Sequence, residues 1–470
     1  MYRINLKSVL FFLLLFLADS HFAQSSFTAQ VWVKTTAETQ QFPSIMGNKI
    51  WDGGKIVDFT SNHNFGQSLD SGAQHGWTFA VQANGAWTWN IGDGEKRLDY
   101  LPTAERQRIN DGEWHHLACT FEERKATASL YFDGQMVAIY SLNELEKLNY
   151  KDLRRDSLVF GNSQIEIDTF AVDGRKMSRF QVATAYRMRS GKSIQRVRPR
   201  GGNFKLLNWN IWHGGRKDGN EKGLKKTIQI IRESEADLVS MQETYGSGPV
   251  IADSLGMVYY YRSSNLGVFS KYPIIATHDL YKPFHFGGVT LQMPGRKQLR
   301  VFSLWLNYLP DIDKSLAAPW SVDSILSAES QTRQKEITAI ITDLDLLLKE
   351  TDEVPIIVAG DFNSPSHLDF TEVTKARYQD LIIPWPVSKA MLTRGFKDAF
   401  RLIHKDPSLK YGATWSPRFE DSCQERIDHI YFTPGLLKCV DAQVLNQAQP
   451  QWPSDHAAVL AEFRLIKWKD

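Results

Sequence analysis

The sequence predicts an all-β antiparallel sandwich followed by a mixed α/β domain, on two observations. Residues 25–188 consist of short alternating segments, FTAQVWVKT, GWTFAVQ, AWTWNIG, WHHLACTF and ATASLYFDGQMVAIYSL. Asn84-Gly85, Asp93-Gly94, Asp111-Gly112 and Asp133-Gly134 punctuate them, as tight turns punctuate antiparallel strands. From residue 204 strand-like runs (FKLLNWNIW, ADLVSMQE, VPIIVAG) interleave with helical spacing at Leu224, Ile228 and Ile231, and again at Ile337, Ile340, Ile341, Leu344, Leu347 and Leu348.

Length and composition fit this division. The 470 residues are enough for two or three domains, and 42% hydrophobic with 23% charged residues is an ordinary globular balance. A net charge of +2 gives no bias toward nucleic acid or an acidic membrane surface. The 14 Trp residues suit a lectin-like sandwich.

In chain order, residues 1–23 come first. Arg3 and Lys7 precede the apolar run VLFFLLLFLA (9–18) and an Ala18-x-Ser20 cleavage pattern, which predicts a cleaved signal peptide and a secreted or otherwise extracytoplasmic protein. The run is short for a bilayer span, and no transmembrane anchor is expected elsewhere. Within 25–188, His115 and His116 are adjacent on a strand, point to opposite faces and are expected to pack rather than share an ion. Residues 189–203, RSGKSIQRVRPRGGN, lack an apolar period and read as a basic, solvated tether. In the last segment, RIDHIYF (426–432), TPG and LLKCVDAQVL (436–445) read as a hairpin, a register that holds Cys423 and Cys439 apart.

The chemistry gathers in 204–470, where strand-like runs end in polar groups: Asn210, Glu243, then Asp361 and Asn363. Arg426 and Asp428 open one further run, and Asp455 and His456 precede another. Hard oxygen ligands, a neutral amide and a His with an Asp partner are what metal-assisted phosphoryl ester hydrolysis requires.

In order, Asn210, MQE ending at Glu243, GVFSKYPI (267–274), GDFNSPSHLD (360–369), TW (414–415), RIDHIYF and SDHAAV (454–459) resemble the endonuclease/exonuclease/phosphatase superfamily, the DNase I-like group. The resemblance implies a four-layer α/β sandwich with the site at one end of its packed sheets. It implies Glu243 as the main metal ligand beside Asn210, with Asp455 on the metal side. Asp361 would activate the water, Asn363 hold the phosphate, and His456, oriented by Asp428, contact the scissile group. The implied metal is Mg²⁺, with Mn²⁺ or Ca²⁺ as alternatives. Arg426 is expected to be structural, and His213 and His367 are candidate substrate contacts. There is one departure: Trp305, in VFSLWLNYLP, stands where many members carry a His. Trp donates one hydrogen bond but carries no proton charge. Either that imidazole is dispensable, with Trp305 touching substrate or packing, or His213, His285 or His367 supplies it.

The first half, through DGEWHHLACTF and ASLYFDGQMV, resembles the laminin G-like, concanavalin A-like jelly roll, with IEIDTFAVDGRKMS (165–178) as its closing strand. The resemblance implies a domain that binds a glycan or an extracellular protein. The expected function is that of an exported phosphoesterase acting on a phosphodiester or phosphomonoester, with a lectin-like targeting domain. The alternatives are a secreted nuclease, or a catalytically inactive binding or adhesion protein, for which Trp305 is the main argument.

Overall fold

The computed structural model describes residues 26–39, 41–52, 74–154, 157–161, 163–194, 202–311, 314 and 320–466. The expected leader, 1–23, and residues 195–201 of the expected tether lie outside them.

The alternation in the first half becomes two facing sheets. Phe27–Thr35 pairs antiparallel with Ile165–Asp173 on one side and His115–Glu122 on the other. Its Phe27, Ala29, Val31 and Val33 meet Trp77, Phe79, Trp87 and Trp89 of the opposing sheet in a continuous core. That opposing sheet runs Arg97–Tyr100, Trp87–Gly92, Gly76–Val81, Ser44–Gly47 and Val159–Phe160. The two histidines have separate partners: His115 bonds Asp133 and Asp111, and His116 bonds Gln30.

A helix closes the segment assigned to the sandwich and runs two residues into the expected tether. Arg179–Ser190 starts on a capping box between Ser178 and Gln181 and stops at left-handed Gly191. Its Val182 packs on Ala118 and Tyr131, and its Tyr186 stacks on Trp32 at 5.8 Å. This helix covers the outer face of the sandwich.

The second domain has the layer order helix, sheet, sheet, helix. One sheet contains Val258–Tyr261, Gly267–Ser270, Leu238–Gln242, Asn203–Asn210, Ala458–Leu465 and Leu437–Leu445. The other runs Ile274–His278, Phe286–Gln292, Gln298–Trp305, Ile356–Asp361, Asp428–Phe432 and Lys397–Asp398. Leu206, Leu238 and Val268 face Val301, Ile357 and Ala359 between them. Glu221–Ser234 covers the first sheet with Leu224, Ile228 and Ile231. Arg333–Leu348 covers the second with Ile337, Ile340 and Leu344. Strands buried on both faces carry near-continuous apolar runs, as 356–359 does.

The expected hairpin at 426–445 does not form. Asp428–Phe432 pairs with Ile356–Asp361, whereas Leu437–Leu445 pairs with Ala458–Leu465 in the other sheet. Ile430 and Phe432 enter the inter-sheet core from one side, and Leu437 and Cys439 from the other. The chain therefore crosses the core between layers, which burial periodicity cannot distinguish from a turn within one sheet. Cys119, Cys423 and Cys439 form no disulfide with one another.

The domains are not merely tethered. Gln135–Ser141 of the sandwich pairs in parallel with Val258–Tyr261 of the second domain, making one 11-stranded sheet. Tyr140 lies 4.7 Å from Tyr261, stacked, and 6.1 Å from Tyr259, edge-on. The core on this side runs from Trp89 through Tyr140 to Trp209 without a break. Tyr140→Ala is expected to cost about 3 kcal/mol, as truncation of a large buried aromatic does, within a single urea transition followed by fluorescence and circular dichroism. A second, separate transition unaffected by the substitution would contradict joint folding.

Candidate active site

Side chains at the ends of facing strands meet where the two sheets of the second domain abut. Asn210 ends its strand, and its Nδ2 donates to Glu243 Oε1 (3.2 Å) and Asp361 Oδ2 (3.1 Å), bridging the sheets. Glu243 sits just past Leu238–Gln242 in a left-handed turn (φ 57°). Its Oε2 accepts the His213 N–H at 2.8 Å, and its own N–H donates to Asn265 Oδ1 at 2.9 Å. Asp361 ends its strand after Gly360, where a Cβ would lie 2.2 Å from Leu304 O of the neighbouring strand. Only glycine permits that approach. Asn363 donates from its N–H to Asp361 Oδ1 at 2.9 Å, and from Nδ2 to Leu306 O at 2.9 Å and Asp361 Oδ2 at 3.1 Å.

Asp361 and Asp428 are direct antiparallel partners. Asp428 Oδ2 lies 2.8 Å from His456 Nδ1, and His456 Nε2 lies 3.8 Å from Asp361 Oδ2. Asp428 is further held by Thr414, whose hydroxyl oxygen accepts its N–H at 3.1 Å. Ligand-type atoms of Asp361, Asp428 and His456 fall within 4.8 Å of one another.

These groups are buried, and burial sets their charge. It raises the Asp361 pKa; His456 offsets part of this and Asp428 adds to it, leaving about 7. Burial likewise raises Asp455, His456 offsets, and Glu243 and Asp361 add, again leaving about 7. Burial alone would lower the His456 pKa, but Asp428, Asp361 and Asp455 hold it well above the ordinary histidine value. A ring in that state donates its Nδ1–H to Asp428, holds its Nε2–H 3.8 Å from Asp361, and has no lone pair for a metal. Glu243, Asn210 and Asp455 bring further oxygen atoms to the same end of the sheets and could hold a cation. That donor set suits Mg²⁺. Asp428 Oδ1 is buried with no hydrogen-bond partner among the described residues.

The remaining sequence candidates divide. His213 lies against Glu243 through its backbone, with its pKa lowered by burial. His367 Nδ1 bonds Ser388 Oγ at 2.7 Å, which fixes the loop after the strand. Trp305 is in register with Asp361 and packs against Phe284 and His285. His285 Nδ1 in turn meets Trp305 O at 3.1 Å. Arg426 and Asp369 are buried in an ion network with Asp398 and Arg401, beneath the loop and outside the cluster.

Sequence reasoning missed an aromatic strip leading away from His456. Trp415 lies 5.0 Å from the His456 ring, Phe419 5.9 Å from Trp415, and Trp212 6.1 Å from Phe419. Arg418 and Lys217 lie over Trp212. Phe419 is 44% exposed, so the strip reaches solvent. Only the TW at 414–415 hinted at it. Sequence reasoning also missed Arg333, whose buried guanidinium binds the Asn363 carbonyl.

Residues 207–456 match the Endonuclease/Exonuclease/phosphatase family, and residues 15–183 match the Concanavalin A-like lectin/glucanases superfamily. The chain belongs to the endonuclease/exonuclease/phosphatase family, a family of phosphoesterases, and carries a concanavalin A-like domain ahead of the family domain. It is 28% identical over 304 residues to the Caenorhabditis elegans uncharacterized protein F14F9.5, covering 56% of this chain and 92% of that one. Among solved structures, it is similar to an endonuclease/exonuclease/phosphatase from Beutenbergia cavernae at 18% identity and TM-score 0.38, covering 56% of this chain and 72% of the other. Truncated C. elegans TDP2 is similar at 15% identity and TM-score 0.39, with coverages of 56% and 98%. The human Nocturnin catalytic domain with bound sulfate is similar at 16% identity and TM-score 0.37, with coverages of 57% and 96%.

The raised carboxylates imply a pH signature. Asp361 and Asp455 move from 3.8 to about 7, so the folded state holds more protons than the unfolded one between those values. Metal-free stability is expected to fall as pH rises through that window. Mg²⁺, which favours the ionised carboxylates, is expected to stabilise more at about pH 7.5 than at about pH 5. Thermal melts in chelator and in Mg²⁺ at both pH values check this; equal Mg²⁺ shifts at the two would contradict it.

Proposed function

We propose that this chain is an exported, metal-dependent phosphoesterase that hydrolyses a phosphodiester or phosphomonoester by direct attack of water. The observation that carries the proposal is the buried Asp361–Asp428–His456 group, bridged by Asn210 to Glu243 and close to Asp455.

Glu243, with Asn210 and Asp455, would hold Mg²⁺, which when bound would offset charge on the phosphoryl oxygens. Asp361, with a pKa near neutrality, is suited to take a proton from the attacking water at its carboxylate. Its orientation is held by the amides of Asn210 and Asn363. His456, kept protonated by Asp428, would meet a phosphoryl oxygen with an N–H donor. Both hydrogens of the Asn363 amide are used, on Leu306 O and Asp361 Oδ2, so Asn363 would hold Asp361 in place rather than grip the phosphate. Trp305 with His285, and His213 beside Glu243, would line the approach.

The aromatic strip supports a substrate that carries a planar group on one side of the phosphate, such as a nucleobase or an aryl alcohol. A nuclease stays within that class. Against a large polyanion, the basic segment 216–226 is diluted by acids, Glu221 facing Lys225 and Asp218 facing Arg418. A steep fall of affinity with salt would favour nucleic acid. Export rests on the pattern of residues 1–23, and docking to a glycan or extracellular protein on the sandwich. Among the described residues no helix is long and apolar enough to cross a membrane.

Asp361→Ala and His456→Ala are each expected to lower kcat by roughly 10²–10⁴ on a phosphodiester, the range for loss of a proton-transfer group. Chelation is expected to abolish turnover and Mg²⁺ to restore it. The assay panel is DNA, RNA, sphingomyelin, phosphoinositides and sugar phosphates, each with and without Mg²⁺. Full activity in either variant, or turnover indifferent to chelator, would overturn the proposal.

A further inference from the structure

We propose that Glu144, a side chain of the sandwich, is a positioning residue for Glu243, so that the first domain forms part of the structure that holds the metal-side carboxylate. The inference rests on the reading of Glu243 as a metal ligand.

Glu144 follows the strand Gln135–Ser141, where the two domains share their sheet. Its carboxylate reaches into the second domain. Oε2 accepts the Ser264 N–H at 2.9 Å and the Tyr261 hydroxyl at 2.5 Å, and Oε1 accepts the Ser264 hydroxyl at 3.2 Å. Ser264 and Asn265 lie in the tight turn between Val258–Tyr261 and Gly267–Ser270, and that turn holds the backbone around Glu243. The Glu243 N–H donates to Asn265 Oδ1 at 2.9 Å, the Thr244 N–H to Asn265 O at 3.1 Å, and the Tyr245 N–H to Ser264 O at 2.9 Å.

The segment needs such support. Glu243 and Tyr245 have positive φ, 57° and 33°, which side-chain-bearing residues adopt only when surrounding contacts compel them. Glu144 grips Ser264, Ser264 and Asn265 grip the bend, and the bend aims Glu243 at Asn210. Arg262, buried beside Glu144, donates to Ser141 Oγ at 3.3 Å and ties the same turn to the sandwich a second time. A pure docking contact would have no reason to end on the residues that hold Glu243. Asp253 is such a contact: it bonds Thr103 and Gln107 across the same domain boundary, away from the Ser264 turn.

The test is Mg²⁺ binding to the full chain by isothermal titration, with the Mg²⁺ concentration for half-maximal turnover as a second readout. Glu144→Ala is expected to weaken Mg²⁺ binding about tenfold, the lower end of the range for loss of a supporting partner behind a ligand. KM at saturating Mg²⁺ should change little. Glu144→Gln keeps an acceptor for the Ser264 N–H and should recover part of the loss; it also carries the test where the alanine variant fails to fold. Asp253→Asn should leave Mg²⁺ affinity unchanged. Wild-type affinity in both Glu144 variants, or an equal loss in Asp253→Asn, would overturn the inference while leaving the metal site standing. Wild-type affinity in Glu243→Gln would overturn the metal reading and this inference with it.

Discussion

The carboxylates of Glu243, Asp361, Asp428 and Asp455 are gathered at the meeting of two buried sheets, and among the described residues His456 supplies the positive charge inside the cluster. Like charges at that depth repel strongly, and burial adds to the cost of ionising each. The protein answers with donors: the Asn210 amide between Glu243 and Asp361, the Asn363 amide on Asp361, and the His456 imidazolium between Asp428 and Asp361. We place the remaining imbalance toward Glu243 and Asp455, the proposed metal side. There a divalent cation and a phosphoryl group would complete the charge pattern, so the electrostatic strain of the metal-free protein and its proposed chemistry share one origin.

The scaffold holds that strain in place. Strands buried on both faces leave little freedom at their ends, so Asn210 and Asp361 are delivered with well-defined directions. Beneath the loop that follows Asp361, the Arg426–Asp369–Asp398–Arg401 network and the buried Arg333 fix backbone that would otherwise be free to shift. The first domain contributes to the same end. Its sheet continues into the second, and its tyrosines close a core that neither domain closes alone.

Much of this was legible in the residues. Period-2 runs mark the sandwich strands, and helical spacing at Leu224–Ile231 and Ile337–Leu344 marks the covering helices. The polar strand ends mark the side chains that converge. What was not legible depended on partners distant in sequence. Gln135–Ser141 reads as an ordinary amphipathic strand, and nothing local says that its free edge pairs with residues 258–261. The segments flanking TPG look like a hairpin because both are strand-like and a turn separates them, yet they enter one core from opposite sides. The helix at 179–190 goes unread at the end of the sandwich segment and the start of the tether, since its buried face is only Val182 and Tyr186. Trp212 and Phe419 share neither motif nor neighbourhood in the sequence but are adjacent in space, so their strip appears only when the loops are folded.

The central claim is that the site divides into a metal side at Glu243 and Asp455 and a proton-bearing side at Asp361, Asp428 and His456. Crystals soaked in Mn²⁺ and measured at the manganese absorption edge test that division directly. The account predicts an anomalous peak bound by the carboxylates of Glu243 and Asp455, with the His456 ring still hydrogen-bonded to Asp428. A peak seated among Asp361, Asp428 and His456 would contradict it, as would no peak at a Mn²⁺ concentration that supports turnover.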